Sequence, residues 1–476
     1  MADDAARQGT ATRPDLSVRQ TLHLVGIGGS GMSPIARVLV AMGHRVSGSD
    51  QRDSAVVAEL RGLGVEVTVG HHPSAASRAD AVGASTAVPA DDQDLIAAAA
   101  AGIPVLRRSD LLAGIAATRR TLAVAGTHGK TSTTALLAYL LRATGCDPSW
   151  IVGGQVPALG GSAGWGGGEW LVVEADESDG TFLELGAEAA IVTNVELDHV
   201  RYHWGSFDRL VAAFETFLAA VPGPRVVCID DPVAAELAGR IAAAHAVTTC
   251  GTDLGADYVI DGVEGRGDGV RFRLSHLDRV LGFVDVPQPG LHTARNATAA
   301  LVAAMELGVA FDQGAAALAD FGGVARRFEH RGVAGGVTFI DDYAHLPSEV
   351  RAALQAARSG DWHRVVAVFQ PHRYTRTAEV WADFADAFVD ADAVAITDVY
   401  SAGEPPIEGV SGKLLVDAVL DAHPHQTVAW LPTLADVTVW LTGLLRPGDL
   451  CLGLGAGDVT DLPDLVRPLL VARSNR

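Results

Sequence analysis

Residues 122–141 read LAVAGTHGKTSTTALLAYLL. The apolar run Leu122–Ala125 predicts a short buried strand, the alanine- and leucine-rich run from Thr131 onward predicts a helix, and Gly126 and Gly129 bracket a turn between them. Strand, glycine turn, helix is the order of a phosphate-binding loop, and Gly129-Lys130-Thr131 matches its ending. The usual beginning is missing. A GxxxxGK[ST] loop needs glycine at 124, where this chain has Val124, and Gly126 gives the shorter GxxGKT instead. The physics survives the shortening, because two glycines let backbone N–H groups turn inward and the helix start adds the positive end of its dipole. Lys130 would bring a movable positive charge to the outer phosphates, and the Thr131 hydroxyl could bind a magnesium ion.

The composition sharpens that reading. The formal charge is -21, which repels a nucleic-acid backbone over most of the surface, so any bound phosphate must meet a local positive site. Only Lys130 and Lys413 are lysines; every other basic side chain is arginine. A solvated surface lysine is the ordinary alternative, but one of just two lysines falls inside a glycine turn behind an apolar strand. At 476 residues and 48% apolar the chain has ample core for two to four domains. The start MADDAARQGTATRPD lacks a signal pattern, and no later run is long and apolar enough to span a bilayer, so the expected location is cytoplasmic, away from membranes. Four scattered cysteines form no CxxC pair, which points to inert thiols, not to a disulfide framework or zinc.

A second glycine cluster lies upstream. LHLVGIGGSGMSPIARVLVAMGHRVSGSD predicts strand, Gly26-x-Gly28-x-x-Gly31, helix, and a second strand ending at Asp50. That is the dinucleotide-binding fingerprint, with its acidic residue about 20 positions beyond the last glycine. NAD, another pyrophosphate, or an empty tight turn would each account for it. Downstream, EWLVVEADESDGTF is a strand running into Glu174, Asp176, Glu177 and Asp179, oxygen donors of the kind a hard cation takes. AAIVTNVELDHVRYHWGSFDRL predicts a further strand, a polar loop with Asp198 and His199, and a helix capped by Ser206. Parallel α/β sheets collect ligands beyond the carboxyl ends of their strands, which is where these polar groups fall.

GTHGKT, EADESD, TNVELDH, GLHTARNATAAL, RRFEHRG, DDYAHLPSEV and QPHRYTRT occur in the order found in the Mur ligases, and the set resembles the alanine-adding branch of that family over about residues 21–459. The resemblance implies a three-domain α/β fold: a Rossmann-like UDP-sugar domain at 18–118 after a disordered tail (1–17), a P-loop-type ATPase domain with a mostly parallel sheet at 119–325, and a Rossmann-like amino-acid domain at 326–476. It implies that ATP activates the lactyl carboxylate of UDP-N-acetylmuramate as an acyl phosphate, which the amine of L-alanine then displaces. Attachment of a preformed tripeptide to the same sugar is the nearest alternative, and a nicotinamide-dependent oxidoreductase a remote one.

The same resemblance implies roles for residues. Gly126, Thr127, His128, Gly129, Lys130, Thr131 and Ser132 would hold ATP, joined by His292 and Asn296 beside its base and ribose, Arg327 at phosphate or ribose, and Asp342 at the ribose hydroxyls. Thr131 and Glu174 would ligate one Mg²⁺ and His199 a second near the acyl phosphate, with Mn²⁺ as a substitute, and Lys130, Glu174 and His199 would carry the chemistry. Gly28, Gly29, Gly31 and Asp50 would bind the UDP-sugar; Tyr343, His345, Arg373 and Arg376 would bind the amino acid. Other branches use a carbamylated lysine, which is excluded here because residues 132–412 contain no lysine. Leu346 stands where the family commonly has a second histidine, and Pro34 where it has glycine; the general base stays unassigned. Monomer and homodimer are both compatible with the sequence.

Overall fold

The computed structural model describes residues 14–85, 87–196 and 204–474. Thr21–Val25 (β1) is buried at four of five positions and opens a five-stranded parallel sheet with Arg45–Asp50 (β2), Glu66–Val69 (β3), Ala81–Ala84 (β4) and Val105–Arg107 (β5). Its order is β3-β2-β1-β4-β5, all pairs parallel, so the chain reverses direction of travel between β1 and β4. The glycine cluster follows β1 at that switch point, where open α/β sheets leave a crevice. Pro34 sits in the first turn of helix Ser33–Ala41, where its missing N–H costs nothing and its fixed φ suits the helix. Leu16, within the expected tail, is 3% exposed and packs in the first core, so ordered chain begins ahead of residue 18.

The second sheet contains Arg120–Ala125 (β6), Ser149–Ile151 (β7), Ala163–Gly164 (β8), Trp170–Glu174 (β9), Ala189–Val192 (β10), Arg225–Cys228 (β11), Thr248–Gly251 (β12), Tyr258–Arg266 (β13), Gly269–His276 (β14) and Arg279–Val286 (β15). Its order is β15-β14-β13-β12-β11-β10-β6-β9-β7-β8. β6 lies between β10 and β9, parallel to both, and therefore ends where those two strands deliver their polar loops. Ser206 caps helix Phe207–Ala220, as expected, by accepting from Arg209 N.

The third sheet holds Glu329–Ala334 (β16), Val337–Asp342 (β17), Arg364–Phe369 (β18), Ala393–Ile396 (β19), Val428–Trp430 (β20) and Asp449–Leu454 (β21), in the order β16-β17-β21-β18-β19-β20; only β16 runs antiparallel. β18 alternates perfectly between two cores: Val365, Ala367 and Phe369 enter one, Val366 and Val368 the other. Both faces are covered, which is why such strands read as continuous apolar runs. The fold is thus three α/β domains with mostly parallel sheets. By compactness the chain forms two units: the described residues through Val259 with Ser275–Leu281 and Asn296–Leu318, and Ile260–Leu274 with Gly282–Arg295 and Ala319 onward. All four cysteines are free, and no helix among the described residues is long and apolar enough to cross a membrane.

Candidate active site

Helix Lys130–Ala143 begins directly at the glycine turn. Gly129 is its N-cap at φ 78°, left-handed backbone that a side chain disfavours, and a Cβ there would lie 2.5 Å from Asn296 Oδ1. A Cβ on Gly126, at φ 135°, would strike Thr193 Oγ1. The end of β10 straps the turn. Thr193 Oγ1 and Asn194 Nδ2 donate to His128 O at 2.6 and 3.0 Å, Asn194 Oδ1 accepts from His128 N at 2.8 Å, and Thr127 N donates to Asn194 O at 3.0 Å. Four hydrogen bonds thus tie the four-residue loop to the end of β10. It presents the first-turn N–H groups of the helix, which have no intrahelical acceptor, to whatever lies beyond. Ser132 is half-buried in that first turn.

Lys130 folds back over the turn. Its Nζ donates to Gly126 O at 2.6 Å, Thr127 O at 3.1 Å and Glu177 Oε2 at 2.7 Å. Burial works against its charge, but Glu177, Asp176 and Glu174 together hold its pKa above the usual lysine value. Asp176, despite burial, is held below its usual range chiefly by Lys130. Burial pushes Glu177, only 2% exposed, up to about 7 against the pull of that ammonium. The one lysine of the domain is thus a charged, half-sheltered cation among carboxylates and not a solvated surface group.

Beside it, Thr131 Oγ1 donates to Glu174 Oε1 at 3.0 Å, and Gly153 N donates to Glu174 Oε2 at 2.7 Å. Two cis ligands of an octahedral ion at about 2.1 Å stand about 3 Å apart. The hydroxyl and carboxylate already have that separation and are hard oxygen donors, so the residues fit magnesium. His199, the expected ligand of a second ion, lies outside the described residues.

In the first sheet's loop, Gly26 N and Ile27 N donate to Ser49 O at 2.9 and 3.1 Å, Gly29 N donates to Gly26 O at 3.1 Å, and Gly28 N donates to Asp50 Oδ2 at 2.8 Å. Asp50, expected to face the sugar nucleotide, acts here as the clasp of its own glycine loop, and Arg52 N caps its other oxygen at 3.1 Å. A Cβ on Gly31 would lie 2.8 Å from Arg108 Nε, so an arginine covers the last glycine. Nothing in the motif announced Arg108.

The remaining expected residues lie in the second compact unit, except Asn296, which packs on the loop of the first. His292 is pushed down to about 4 by burial, with Arg327 and Arg295 adding to the effect. Arg326 and Arg327 both set their guanidinium carbon 5.1 Å from the Tyr343 ring centre. Arg326 donates to the carbonyls of Gly455, Ala456 and Gly457. Asp342 accepts from Phe328 N at 2.7 Å and Ala344 N at 2.8 Å, and burial raises it to about 6. It clasps the turn that carries Arg327.

Tyr343 and His345 meet edge to face at 5.4 Å, and His345 meets His372 at 5.8 Å. Arg376 Nη1 donates to His372 Nδ1 at 3.1 Å, while Arg373 Nε donates to Glu404 Oε1 at 2.7 Å. Tyr343, His345 and Arg376 come together around His372, whereas Arg373 pairs with Glu404; sequence reasoning singled out neither His372 nor Glu404. His372 lay inside the quoted QPHRYTRT; Glu404 had no motif around it. Leu346 is buried at 6% exposure, so an apolar residue suits that position.

Family models match in three consecutive stretches: Mur ligase family, catalytic domain, over residues 21–120; Mur ligase middle domain over 124–304; and Mur ligase, glutamate ligase domain, over 326–457. The chain is 47% identical over 447 residues to a UDP-N-acetylmuramate--L-alanine ligase of Bradyrhizobium sp. (strain ORS 278), covering 92% of this chain and 95% of that one. It is 43% identical to the protein of that name from Pelotomaculum thermopropionicum, covering 93% and 95%. Among solved structures, the UDP-N-acetylmuramate-alanine ligase of Thermotoga maritima superimposes with a TM-score of 0.81 at 27% identity, over 96% of this chain and 100% of that one. With all three domains matched in order and relatives this similar over nearly the whole length, the chain belongs to the Mur ligase family.

Proposed function

We propose that this enzyme is an ATP-dependent ligase that joins L-alanine to the lactyl carboxylate of UDP-N-acetylmuramate in peptidoglycan precursor synthesis. The relatives of that name support the substrates, and the geometry around Lys130 supports the chemistry. The single observation that carries the reading is the juxtaposition of Lys130 Nζ, the strapped turn and the Thr131–Glu174 pair. Bound ATP would lay its β- and γ-phosphates in the turn, exchanging the Lys130 contacts to carbonyl oxygens for contacts to phosphate. Lys130 then neutralises charge as it spreads over the transferring phosphoryl group, with fixed backbone N–H groups sharing it.

Thr131 and Glu174 would hold one Mg²⁺ and His199 a second; such ions would supply charge neutralisation on the phosphate oxygens. The glycine loop at residues 26–31, around the fixed Gly28, would receive the pyrophosphate of UDP, with Asp50 keeping the loop closed. Asn296 would border the nucleotide at the turn, and His292, Arg327 and Asp342 would serve the base and ribose. In the third domain, Arg376 and Arg373 would clamp the carboxylate of alanine, with Tyr343 and His345 beside it, so that the amine is presented to the acyl phosphate. Positioning of that kind is the main catalytic device of the second step. Substrates of this kind would suit a cytoplasmic enzyme.

The test is phosphate release from ATP. It should require UDP-N-acetylmuramate, L-alanine and Mg²⁺ together. Release driven instead by a tripeptide would assign the chain to the tripeptide-adding ligases.

A further inference from the structure

We infer that Gly153 is a positioning residue for Glu174, and that the hairpin carrying it exists to hold that carboxylate in the geometry a divalent cation needs. The inference rests on the reading of Glu174 as a magnesium ligand and goes beyond it, because it names what aims the ligand.

Glu174 ends β9 and is half-buried, so its side chain has freedom to rotate unless something fixes it. Gly153 N fixes Oε2 at 2.7 Å, which leaves Oε1 turned to Thr131 Oγ1 at 3.0 Å. The same glycine also makes the space. A Cβ at 153 would stand 2.7 Å from both carboxylate oxygens and 2.9 Å from the carboxyl carbon. Its backbone lies outside the left-handed region, so alanine is tolerated there by the main chain and only the carboxylate objects.

The segment around Gly153 is itself anchored. β7 and β8 pair antiparallel, Trp150 against Gly164 and Ile151 against Ala163, and Val152 N donates to Ser162 O at 2.8 Å. Arg119 lies over the Trp165 ring at 4.7 Å, and Arg142 Nη1 donates to Leu159 O at 3.2 Å. The segment between β7 and β9 is thus pinned at three places, and the pinned backbone reaches Glu174. Groups that orient a metal ligand from behind are worth 10–100-fold in metal affinity when removed.

The experiment titrates Mn²⁺ into the full-length protein saturated with a non-hydrolysable ATP analogue and reads free Mn²⁺ by electron paramagnetic resonance. Gly153→Ala is expected to weaken Mn²⁺ by about 10- to 100-fold, with the affinity for UDP-N-acetylmuramate and the thermal midpoint unchanged. Trp165→Leu, which loosens the hairpin without adding atoms beside Glu174, is expected to shift Mn²⁺ affinity the same way by a smaller factor. Glu174→Gln is the reference. If Glu174→Gln weakens Mn²⁺ while Gly153→Ala and Trp165→Leu bind it like wild type, the positioning role is overturned and the ligand assignment stands. If Glu174→Gln itself binds like wild type, the ligand assignment falls and the inference with it.

Discussion

Asn296 stands against the phosphate turn so closely that a Cβ on Gly129 would come within 2.5 Å of its Oδ1. Gly129 therefore serves twice: it takes a left-handed φ of 78° and it leaves room for Asn296, from the distant helix Leu291–Glu306. Alanine at 129 would meet about 1–2 kcal/mol of backbone strain and push Asn296 away. Gly129→Ala is expected to weaken ATP by at least about tenfold, roughly 1.4 kcal/mol, in calorimetric titration, while UDP-N-acetylmuramate binding is retained. Wild-type ATP affinity would contradict this use of the turn.

Lys130→Met removes the cation between the turn and Glu177 and keeps the stem. Phosphoryl transfer should be lost, with UDP-N-acetylmuramate still bound within about twofold, since the two sites are built on different sheets. Equal loss of both affinities would mean that the nucleotide and sugar sites had been partitioned wrongly.

Asp50→Ala deletes the acceptor that holds Gly28 N at 2.8 Å. An amide left without its partner in a half-buried turn costs about 1–3 kcal/mol. The glycine loop then loosens, and affinity for UDP itself should fall while ATP affinity does not. Unchanged UDP affinity would show that the clasp is dispensable.

His372 supplies a pH prediction. Burial pushes it down to about 3, helped by His345, Arg376 and Arg373 and opposed by Glu404. Because Arg376 donates to Nδ1, the ring is neutral with its proton on Nε2, an assignment that follows from the hydrogen-bond network. A histidine depressed in the fold binds fewer protons folded than unfolded between its ordinary value near 6.5 and about 3. Its share of stability is present above that window and is lost as pH falls through it. Ring ¹⁵N shifts should report neutral His372 at pH 5, and His372→Gln should flatten the fall of the thermal midpoint over that range. A ring already protonated at pH 5 would contradict the assignment.

Much of this was legible in the residues because local chemistry and position coincided. Leu122–Ala125 and its glycine turn announce β6 and its helix, since a buried parallel strand and a phosphate turn each have a local pattern; WLVVE and AAIV likewise became β9 and β10. What stayed hidden depends on approach between distant segments. Gly153 belongs to no motif in the sequence, and only the fold brings its N–H to Glu174. Asp50 has the position of a ligand contact, yet its oxygens serve Gly28 and Arg52. Glu404 lies in a loop with no periodicity, and its pairing with Arg373 exists only because β18 and β19 lie side by side.

The most direct measurement is initial-rate phosphate release with Mg·ATP, omitting each of the other substrates in turn. Release only when UDP-N-acetylmuramate and L-alanine are both present, and none from Lys130→Met, is the predicted result. Release that proceeds without L-alanine at the full rate, or survives in Lys130→Met, would contradict the central claim that this ammonium and its strapped turn activate a carboxylate for attack by an amine.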